Sequence, residues 1–241
     1  SSTSPPCSSD RTAGITGRVS MMTDRPQALH IIGVDLDNTL ISYDELIYRC
    51  AVDASLIPAT TRRHKKTIRD LIRQLPDGEH RWIQLQAYIY GEGIVGAEPF
   101  EGALEFLQEC RRRGLQTCIV SHKTEHCVLD GKQINLRDHA LDWLARNGLF
   151  EADRIGLDRS RVFFESTRDA KIDRIRMLGC THFIDDLEEV LAHPDFPVAV
   201  ERLLFDPYTE NGEASGMQVF HTWKTIRDHL LGDGRNDGIS E

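Results

Sequence analysis

The sequence predicts an α/β fold in which helices cover both faces of a parallel sheet. Short apolar runs rich in β-branched residues begin at Leu29, Leu115 and Thr181, and each is followed by a segment with helical periodicity. Strands that alternate with helices in this way usually lie parallel in one sheet. The 241 residues fit one core domain with a modest insertion, since a domain typically holds roughly 100–200 residues.

Two buried strands frame the first half of the chain. Leu29–Asp35 and Leu115–Val120 are short runs of apolar and β-branched residues, which is typical of strands buried on both faces. Between these strands, helices are predicted over 44–57, 62–75 and 79–90. The second of these helices has one apolar stripe at helical spacing, made of Ile68, Leu71, Ile72 and Leu75.

Capping residues mark the helices of the second half. Pro99 opens a helix that ends before Gly114, because glycine readily adopts the left-handed conformation that follows a helix. Asn135 can cap another helix over 136–147. The remaining predicted elements are, in order, a strand at 162–164, a helix over 168–178, a strand at 181–184, a short helix over 187–192, a strand within 198–205 and a helix over 221–231.

A purely helical block, residues 44–97, interrupts the alternation of strands and helices. Its place after the first strand predicts a small helical cap, inserted into a core domain made of residues 28–43 and 98–232. Residues 1–27 are rich in Ser, Thr, Pro and Gly and are predicted to be a disordered leader. The polar, Gly-rich residues 233–241 are predicted to be a flexible tail.

Charge and composition exclude several classes of partner. The chain has 38 acidic and 29 basic residues, and its net charge of −9 disfavours binding to nucleic acid or to an anionic membrane. No apolar run approaches the roughly 20 residues of a membrane-spanning helix. The six cysteines include no C-x-x-C pair and the N-terminus lacks a secretory pattern, so we expect reduced thiols and a cytoplasmic location. The oligomeric state is left open.

Two carboxylates follow the first predicted strand. Asp35 and Asp37 are two residues apart in Asp-Leu-Asp-Asn-Thr, and an extended backbone places such side chains on the same side. Two carboxylates this close repel each other unless one is protonated or a cation lies between them. Mg²⁺ suits this role because it prefers oxygen ligands. The alternative is a turn in which both acids face water.

The pentapeptide Asp-Leu-Asp-Asn-Thr resembles the first motif of the haloacid dehalogenase (HAD) superfamily of hydrolases. Ser121, at the end of the second strand, matches the second motif of this superfamily, and Lys171, near the start of a helix, matches the third. Asp185 and Asp186 match the acidic pair of the fourth motif. The motifs occur in the family's order, so the resemblance implies a Rossmann-like three-layer core with a small helical cap inserted after the first strand.

The resemblance also implies roles for these residues. Asp35 would be the nucleophile that forms an aspartyl-phosphate, and Asp37 would protonate the leaving group and later deprotonate water. Ser121 and Lys171 would stabilise the charge of the phosphoryl group. Mg²⁺ would bind Asp35, the Asp37 carbonyl oxygen and Asp186.

Neighbouring residues are candidates for further contacts. Asp185 and Glu189 are alternative metal ligands, acting through water. Four residues beside the first and second motifs are predicted to contact the substrate, namely Asn38, Thr39, His122 and Lys123. Arg168 could reach the edge of the phosphate.

Asp37 favours phosphoester chemistry over carbon–halogen cleavage, because dehalogenases of the superfamily lack an acid at this position and a halide leaves without a proton. The sequence therefore predicts an Mg²⁺-dependent phosphomonoester hydrolase for a small phosphorylated metabolite, such as a sugar phosphate or a nucleotide. The alternatives are a phosphatase for nucleic-acid ends or phosphoproteins, a phosphomutase, and a non-catalytic binding module with the same fold.

Three other patterns are predicted to lie near the site. His122 and His126 have a spacing that would suit zinc on a helix, but a loop or helix start after the second motif is favoured. Gly91–Gly96 contains G-x-G-x-x-G, and a flexible return from cap to core is favoured over a dinucleotide site because the next helix begins only near Pro99. One face of the second helix carries basic residues that either face solvent or attract a phosphorylated substrate, namely Arg62, Lys66, Arg69 and Arg73.

Overall fold

The computed structural model describes residues 30–209 and 216–232, and the predicted leader (1–27) and tail (233–241) lie outside this part of the chain. The strands are β1 (Ile31–Val34), β2 (Ile41–Ser42), β3 (Glu98–Pro99), β4 (Gln116–His122), β5 (His126–Leu129), β6 (Lys132–Asn135), β7 (Val162–Glu165), β8 (His182–Asp185), β9 (Glu201–Phe205) and β10 (Gln218–Phe220). The α-helices are α1 (Asp44–Asp53), α2 (Lys65–Arg73), α3 (Gly78–Tyr90), α4 (Ala103–Arg112), α5 (Leu136–Arg146), α6 (Arg168–Met177), α7 (Glu188–Leu191) and α8 (Trp223–Leu231).

Six strands form one parallel sheet, which confirms the predicted fold class. Their order is β10–β9–β8–β1–β4–β7, so the first strand lies in the middle of the sheet and later strands extend the sheet on both sides. β1 pairs with β4 and β8, and Val34 lies level with Ile119 and Ile184. The carboxyl ends of these three central strands therefore meet at one edge, where open α/β sheets usually bind ligands.

Helices cover both faces of the sheet and enclose two apolar cores. Along β4, Ile119 packs into one core, whereas Cys118 and Val120 pack into the other. Neighbouring side chains of a strand point to opposite faces, which explains this division. The first core receives side chains from α4, α5 and α8, and the second receives them from α6 and α7. The result is a three-layer arrangement, as predicted.

A helical insertion, residues 44–96, lies between β2 and β3. It contains α1, α2, α3 and a 3₁₀ helix over Glu92–Gly96. β2 and β3 pair antiparallel at its base, where Ile41 lies opposite Pro99. In α2, Ile68 and Ile72 are fully buried, whereas Leu71, predicted in the same stripe, is 37% exposed.

The glycine-rich return from the insertion forms a short 3₁₀ helix, where no regular element was predicted. Residues Glu92–Gly96 form the 3₁₀ helix because Ile94 is fully buried and fixes their position. The indole N–H of Trp143 in α5 donates to the carbonyl oxygen of Ala97 at 2.8 Å. This buried hydrogen bond holds the end of the return against the core.

The segment after β4 also differs from the prediction of a loop or helix start. β4 continues through His122, and His126 begins an antiparallel hairpin of β5 and β6. The two histidines do not share a helix, so they lack the helical geometry in which their spacing would suit zinc. Asn135 ends the hairpin and caps α5 as predicted, because its side chain accepts hydrogen bonds from two N–H groups of the first helical turn.

Within residues 30–209 and 216–232, no helix combines the length and apolar character needed to cross a membrane. The cysteines of these two ranges are free thiols. Two of them, Cys118 and Cys180, are buried with their Sγ atoms 3.8 Å apart.

Candidate active site

Lys171 joins the ends of two central strands. Its Nζ donates to Asp35 Oδ1 at 2.5 Å and to Asp185 Oδ2 at 2.6 Å. Asp35 directly follows β1, Asp185 ends β8, and Lys171 lies near the start of α6, which the Thr167 side chain caps. All three charged side chains are buried. Buried ions need such partners, because taking an ion out of water costs several kcal/mol.

The buried acids carry more negative charge than Lys171 neutralises. Burial raises the pKa of Asp35 to about 7, an effect that Lys171 opposes and Asp185 reinforces. Burial also raises the pKa of Asp186 well above its usual value, and the charge of Asp185 adds to this rise. Burial lowers the pKa of Lys171, but the two contacting carboxylates outweigh it and the net shift is upward. The cluster can therefore accept a further positive charge.

Three carboxylates of this cluster are placed to share a cation. Asp35, Asp185 and Asp186 each offer an oxygen, and these oxygens lie within 4.8 Å of one another. Carboxylate oxygens in a negatively charged site suit Mg²⁺. Both oxygens of Asp185 are engaged, because its Oδ1 accepts from the Leu187 N–H at 2.9 Å and its Oδ2 from Lys171. The residues present fit a divalent metal, and Asp186 is more open to it than Asp185.

The loop after β1 is held against the loop after β8. Thr39 is fully buried, and its hydroxyl accepts from the Asp186 N–H at 3.1 Å. The same hydroxyl lies 3.3 Å from a carboxylate oxygen of Asp35 and from one of Asp186. Asn38 adopts a left-handed backbone conformation (φ 63°) and lines a cavity of 290 Å³ beside Asp186. Thr39 therefore positions the carboxylates, and Asn38 faces the space next to them.

Both carboxylate oxygens of Asp37 accept hydrogen bonds. Tyr43 OH donates to Oδ1 and Lys123 Nζ donates to Oδ2, each at 2.6 Å. Both donors are buried. Burial, followed by the charge of Asp37, raises the pKa of Tyr43, so its hydroxyl remains a donor. Lys123, predicted to contact the substrate, is thus paired with Asp37 in this arrangement.

Ser121 and His122 end β4 on opposite faces. Ser121 is buried, and its Oγ has no hydrogen-bond partner among the described residues. A buried hydroxyl without a partner is rare, and a ligand at the site is one explanation. His122 is exposed, and its Nε2 lies 3.2 Å from the carbonyl oxygen of Ser166. Strand alternation turns His122 away from the face of Ser121, so the structure does not bring it to the carboxylates.

Arg168 and two basic residues of α2 form ion pairs at the surface. These pairs are Arg168 with Glu189, Arg69 with Asp70, and Arg73 with Glu79. Arg62 and Lys66 are exposed. Arg69 and Arg73 of α2 are therefore paired with acids of the insertion, and Glu189 is engaged by Arg168.

Three residues beside Asp37 were not predicted, namely Tyr43, Tyr90 and Lys65. Lys65 Nζ donates to Tyr90 OH at 2.9 Å, and the Tyr90 ring packs edge-on against Tyr43. Lys65 precedes Ile68 and Ile72 by three and seven positions. This helical spacing could have placed Lys65 on the buried face of α2. The two tyrosines carried no such signal, since Tyr43 reaches Asp37 through the turn after β1 and Tyr90 through contacts distant in sequence.

A scan of the sequence against protein-family models gives no match. A search of curated proteins gives no significant match either.

Solved structures share the fold at low sequence identity. A HAD family hydrolase from Deinococcus radiodurans R1, with bound phosphate and sodium, is 16% identical, with a TM-score of 0.53 over 84% of this chain and 95% of the other. A haloacid dehalogenase-like hydrolase from Streptococcus pneumoniae is 15% identical, with a TM-score of 0.54 over 83% and 98%. A dehalogenase with an intermediate complex is 14% identical, with a TM-score of 0.52 over 85% and 98%. The chain therefore has the fold of the haloacid dehalogenase hydrolases.

Proposed function

We propose that the protein is an Mg²⁺-dependent phosphomonoester hydrolase of the HAD superfamily. The proposal depends on three carboxylates, with oxygens within 4.8 Å of one another, that meet at a lysine ammonium bridging two of them. This arrangement suits the attack of a carboxylate on an anionic phosphoryl group, because positive charges offset the repulsion between the anions. The proposed substrate is a small phosphorylated metabolite, such as a sugar phosphate or a nucleotide, and the proposed location is the cytoplasm.

Asp35 is the nucleophile in this proposal. One of its oxygens attacks phosphorus, the bond between phosphorus and the ester oxygen breaks, and an aspartyl-phosphate forms. Lys171 offsets the negative charge, and the Ser121 hydroxyl, which has no partner among the described residues, donates to a phosphoryl oxygen. Mg²⁺, held by Asp35, Asp186 and the carbonyl oxygen of Asp37, would supply further positive charge to the phosphoryl oxygens.

Asp37 transfers the protons. It protonates the leaving ester oxygen, and it then accepts a proton from the water that hydrolyses the aspartyl-phosphate, which restores Asp35 and releases phosphate. Tyr43 and Lys123 hold both oxygens of Asp37, so one donor has to release its oxygen when the substrate binds. We infer that Lys123 releases Asp37 and turns to the phosphoryl group, the contact predicted from the sequence.

The helical insertion is the proposed cap, with residues 44–97 as the cap and 28–43 and 98–232 as the core. Tyr90 of the insertion lies against Lys123 of the core, beside Asp37. The leaving group, which receives its proton from Asp37, would therefore lie between core and insertion. This location supports a small substrate.

Phosphate release from a panel of phosphomonoesters with Mg²⁺ tests the proposal. We expect turnover by the wild type and a decrease of at least about 10³-fold for Asp35→Asn, which loses the nucleophile and a metal ligand. Asp70→Asn is the matched control, because it removes an exposed carboxylate from a surface pair, and it should keep the wild-type rate.

Three outcomes would contradict the proposal. Halide release from 2-haloacids without phosphate release would identify a dehalogenase, in line with one of the matching structures. Undiminished phosphate release in excess chelator would exclude the divalent metal. Absence of turnover from every ester would favour a non-catalytic binding module.

A further inference from the structure

We propose that Lys65 selects substrates whose leaving group carries a second anionic group, a carboxylate or a phosphate, within a few atoms of the ester that is cleaved. The inference rests on the proposed phosphomonoester hydrolase and narrows its substrate class. It depends on two observations, namely the position of Lys65 beside the donors of Asp37 and the chemistry around its ammonium.

Lys65 turns inward, unlike the other basic residues of α2. Ile68 and Ile72 are fully buried on the same helix face, whereas the adjacent Lys66 is exposed. The Lys65 ammonium donates to Tyr90 OH at 2.9 Å and lies 5.6 Å from the centre of the Tyr90 ring. In the described part of the chain, no carboxylate forms an ion pair with it. A neutral phenol occupies one of its three N–H donors, and the carboxylates of the site raise the pKa of Lys65 without contacting it directly among the described residues.

Tyr90 connects this ammonium to the proposed acid. Lys123 Nζ lies 5.0 Å from the centre of the same ring and donates to Asp37 Oδ2. Tyr43, which donates to the other oxygen of Asp37, packs edge-on against Tyr90 with ring centres 4.8 Å apart. Because Asp37 protonates the leaving oxygen in the proposed mechanism, the leaving group lies beside these two rings. The remainder of that group then extends towards Lys65.

Lys65 is held in place at both ends. Its backbone N–H donates to Asp44 Oδ1 at 2.8 Å, and the other oxygen of Asp44 accepts from the hydroxyl of Tyr208 in the core. Burial lowers the pKa of Lys65, but its interactions with Tyr90 and with carboxylates of the site outweigh this and raise it. The side chain is therefore charged at neutral pH. A preorganised cation binds an anion with little further loss of conformational entropy.

The positions of the charged groups at the site leave the Lys65 ammonium available to bind the leaving group. Lys171 contacts Asp35, where the phosphoryl group is transferred, whereas Lys65 contacts Tyr90, whose ring lies against the Lys123 ammonium that donates to Asp37. A neutral leaving group would cover the ammonium without compensating its charge, which is costly away from water. A carboxylate or phosphate would form a charge-assisted hydrogen bond with it. The leaving group that fits best is therefore anionic.

Binding of non-hydrolysable phosphonates tests the inference without relying on turnover. Dissociation constants are measured by calorimetry, at constant free Mg²⁺, for 3-phosphonopropionate, ethane-1,2-bisphosphonate and propylphosphonate. These probes differ in carrying a carboxylate, a phosphonate or a methyl group at the far end. The wild type should bind one of the two doubly anionic probes at least about ten-fold more tightly than propylphosphonate. Which of the two it prefers identifies the second anion.

Substitution of Lys65 assigns the preference to this residue. Lys65→Gln should reduce the preference about ten-fold and change the affinity for propylphosphonate by less than about two-fold. Lys65→Arg should keep part of the preference, because it keeps the charge. Lys66→Gln is the matched control, since it removes the same charge from the next position of α2, on the exposed face, and the preference should persist.

Equal affinity of the wild type for all three probes would overturn the inference, even if Lys65→Gln fails to fold. An equal loss of the preference in Lys65→Gln and Lys66→Gln would also overturn the inference, because the preference would then depend on the net charge of the protein and not on Lys65. A preference that is kept while no phosphoester is hydrolysed would refute the hydrolase and leave the second-anion site in place. Failure of the inference about Lys65 can therefore be distinguished from failure of the proposed hydrolase function.

Discussion

The carboxyl edge of the sheet and the inner face of the helical insertion meet at Asp37, but the lysines of the two regions have different partners. At the sheet edge, Lys171 lies between two buried carboxylates and contacts both within 2.6 Å. In the insertion, Lys65 is partly buried and its ammonium meets a neutral phenol. At the sheet edge the lysine is paired with two carboxylates of the protein, whereas in the insertion no carboxylate of the described residues contacts the lysine directly. In our proposal, the first region performs the chemistry and the second selects the substrate.

The largest effect should come from the sheet edge. Lys171→Met leaves Asp35 and Asp185 buried without their common partner, so we expect the free energy of unfolding to fall by about 3–5 kcal/mol. Phosphate release should fall at least about 10³-fold, because the variant also loses the cation that offsets repulsion at the nucleophile. Urea denaturation and the phosphatase assay measure the two effects.

A surface lysine provides the matched control for this variant. Lys224 also pairs with an acid, Asp228, but its side chain is 73% exposed. Lys224→Met should therefore cost less than about 1 kcal/mol, as is usual for exposed ion pairs. If Lys171→Met and Lys224→Met lower the free energy of unfolding equally, the buried ion pairs of Lys171 stabilise the protein no more than an exposed pair does.

A smaller effect is expected at Asp37, where the two regions meet. Asp37→Asn removes the proposed acid, so cleavage of an alkyl phosphate should slow about 10²- to 10³-fold. Nitrophenolate leaves without a proton, and p-nitrophenyl phosphate should lose roughly ten-fold or less in the rate of aspartyl-phosphate formation. Rapid-mixing measurements of the first turnover compare the two esters. If Asp37→Asn slows the first turnover of both esters by the same factor, Asp37 positions the substrate and does not transfer the proton.

The fold was largely predictable because its elements have strong local patterns. The central strands are continuous apolar runs, and Asn135 and Gly114 mark helix ends that the structure contains. The β5–β6 hairpin was missed because its alternation is weak, with Val128 69% exposed and most other positions at least partly exposed. The pairing of β9 with β10 depends on contacts across the chain and left no local pattern either.

At the site, residues at the ends of central strands could be predicted from the sequence, whereas Tyr90 of the insertion could not. Asp35 and Asp185 meet because parallel pairing places the ends of β1 and β8 side by side, a consequence of fold class alone. Alternation along β4 turns His122 away from the face of Ser121, and its predicted substrate contact stays a prediction. Tyr90 reaches Lys123 through the packing of α3, and no period in the sequence encodes that contact.

The smallest effect should come from the contact that joins the insertion to the core. Tyr208→Phe removes the hydroxyl that donates to Asp44, so we expect a loss of about 1 kcal/mol in the free energy of unfolding. Tyr48→Phe is the matched control, because the Tyr48 hydroxyl donates to the carbonyl oxygen of Ala59 at an exposed position and should cost less. Since Asp44 also fixes the backbone of Lys65, Tyr208→Phe should weaken the second-anion preference about two-fold. A loss of stability with an unchanged preference would show that the selectivity of Lys65 does not depend on its attachment to the core.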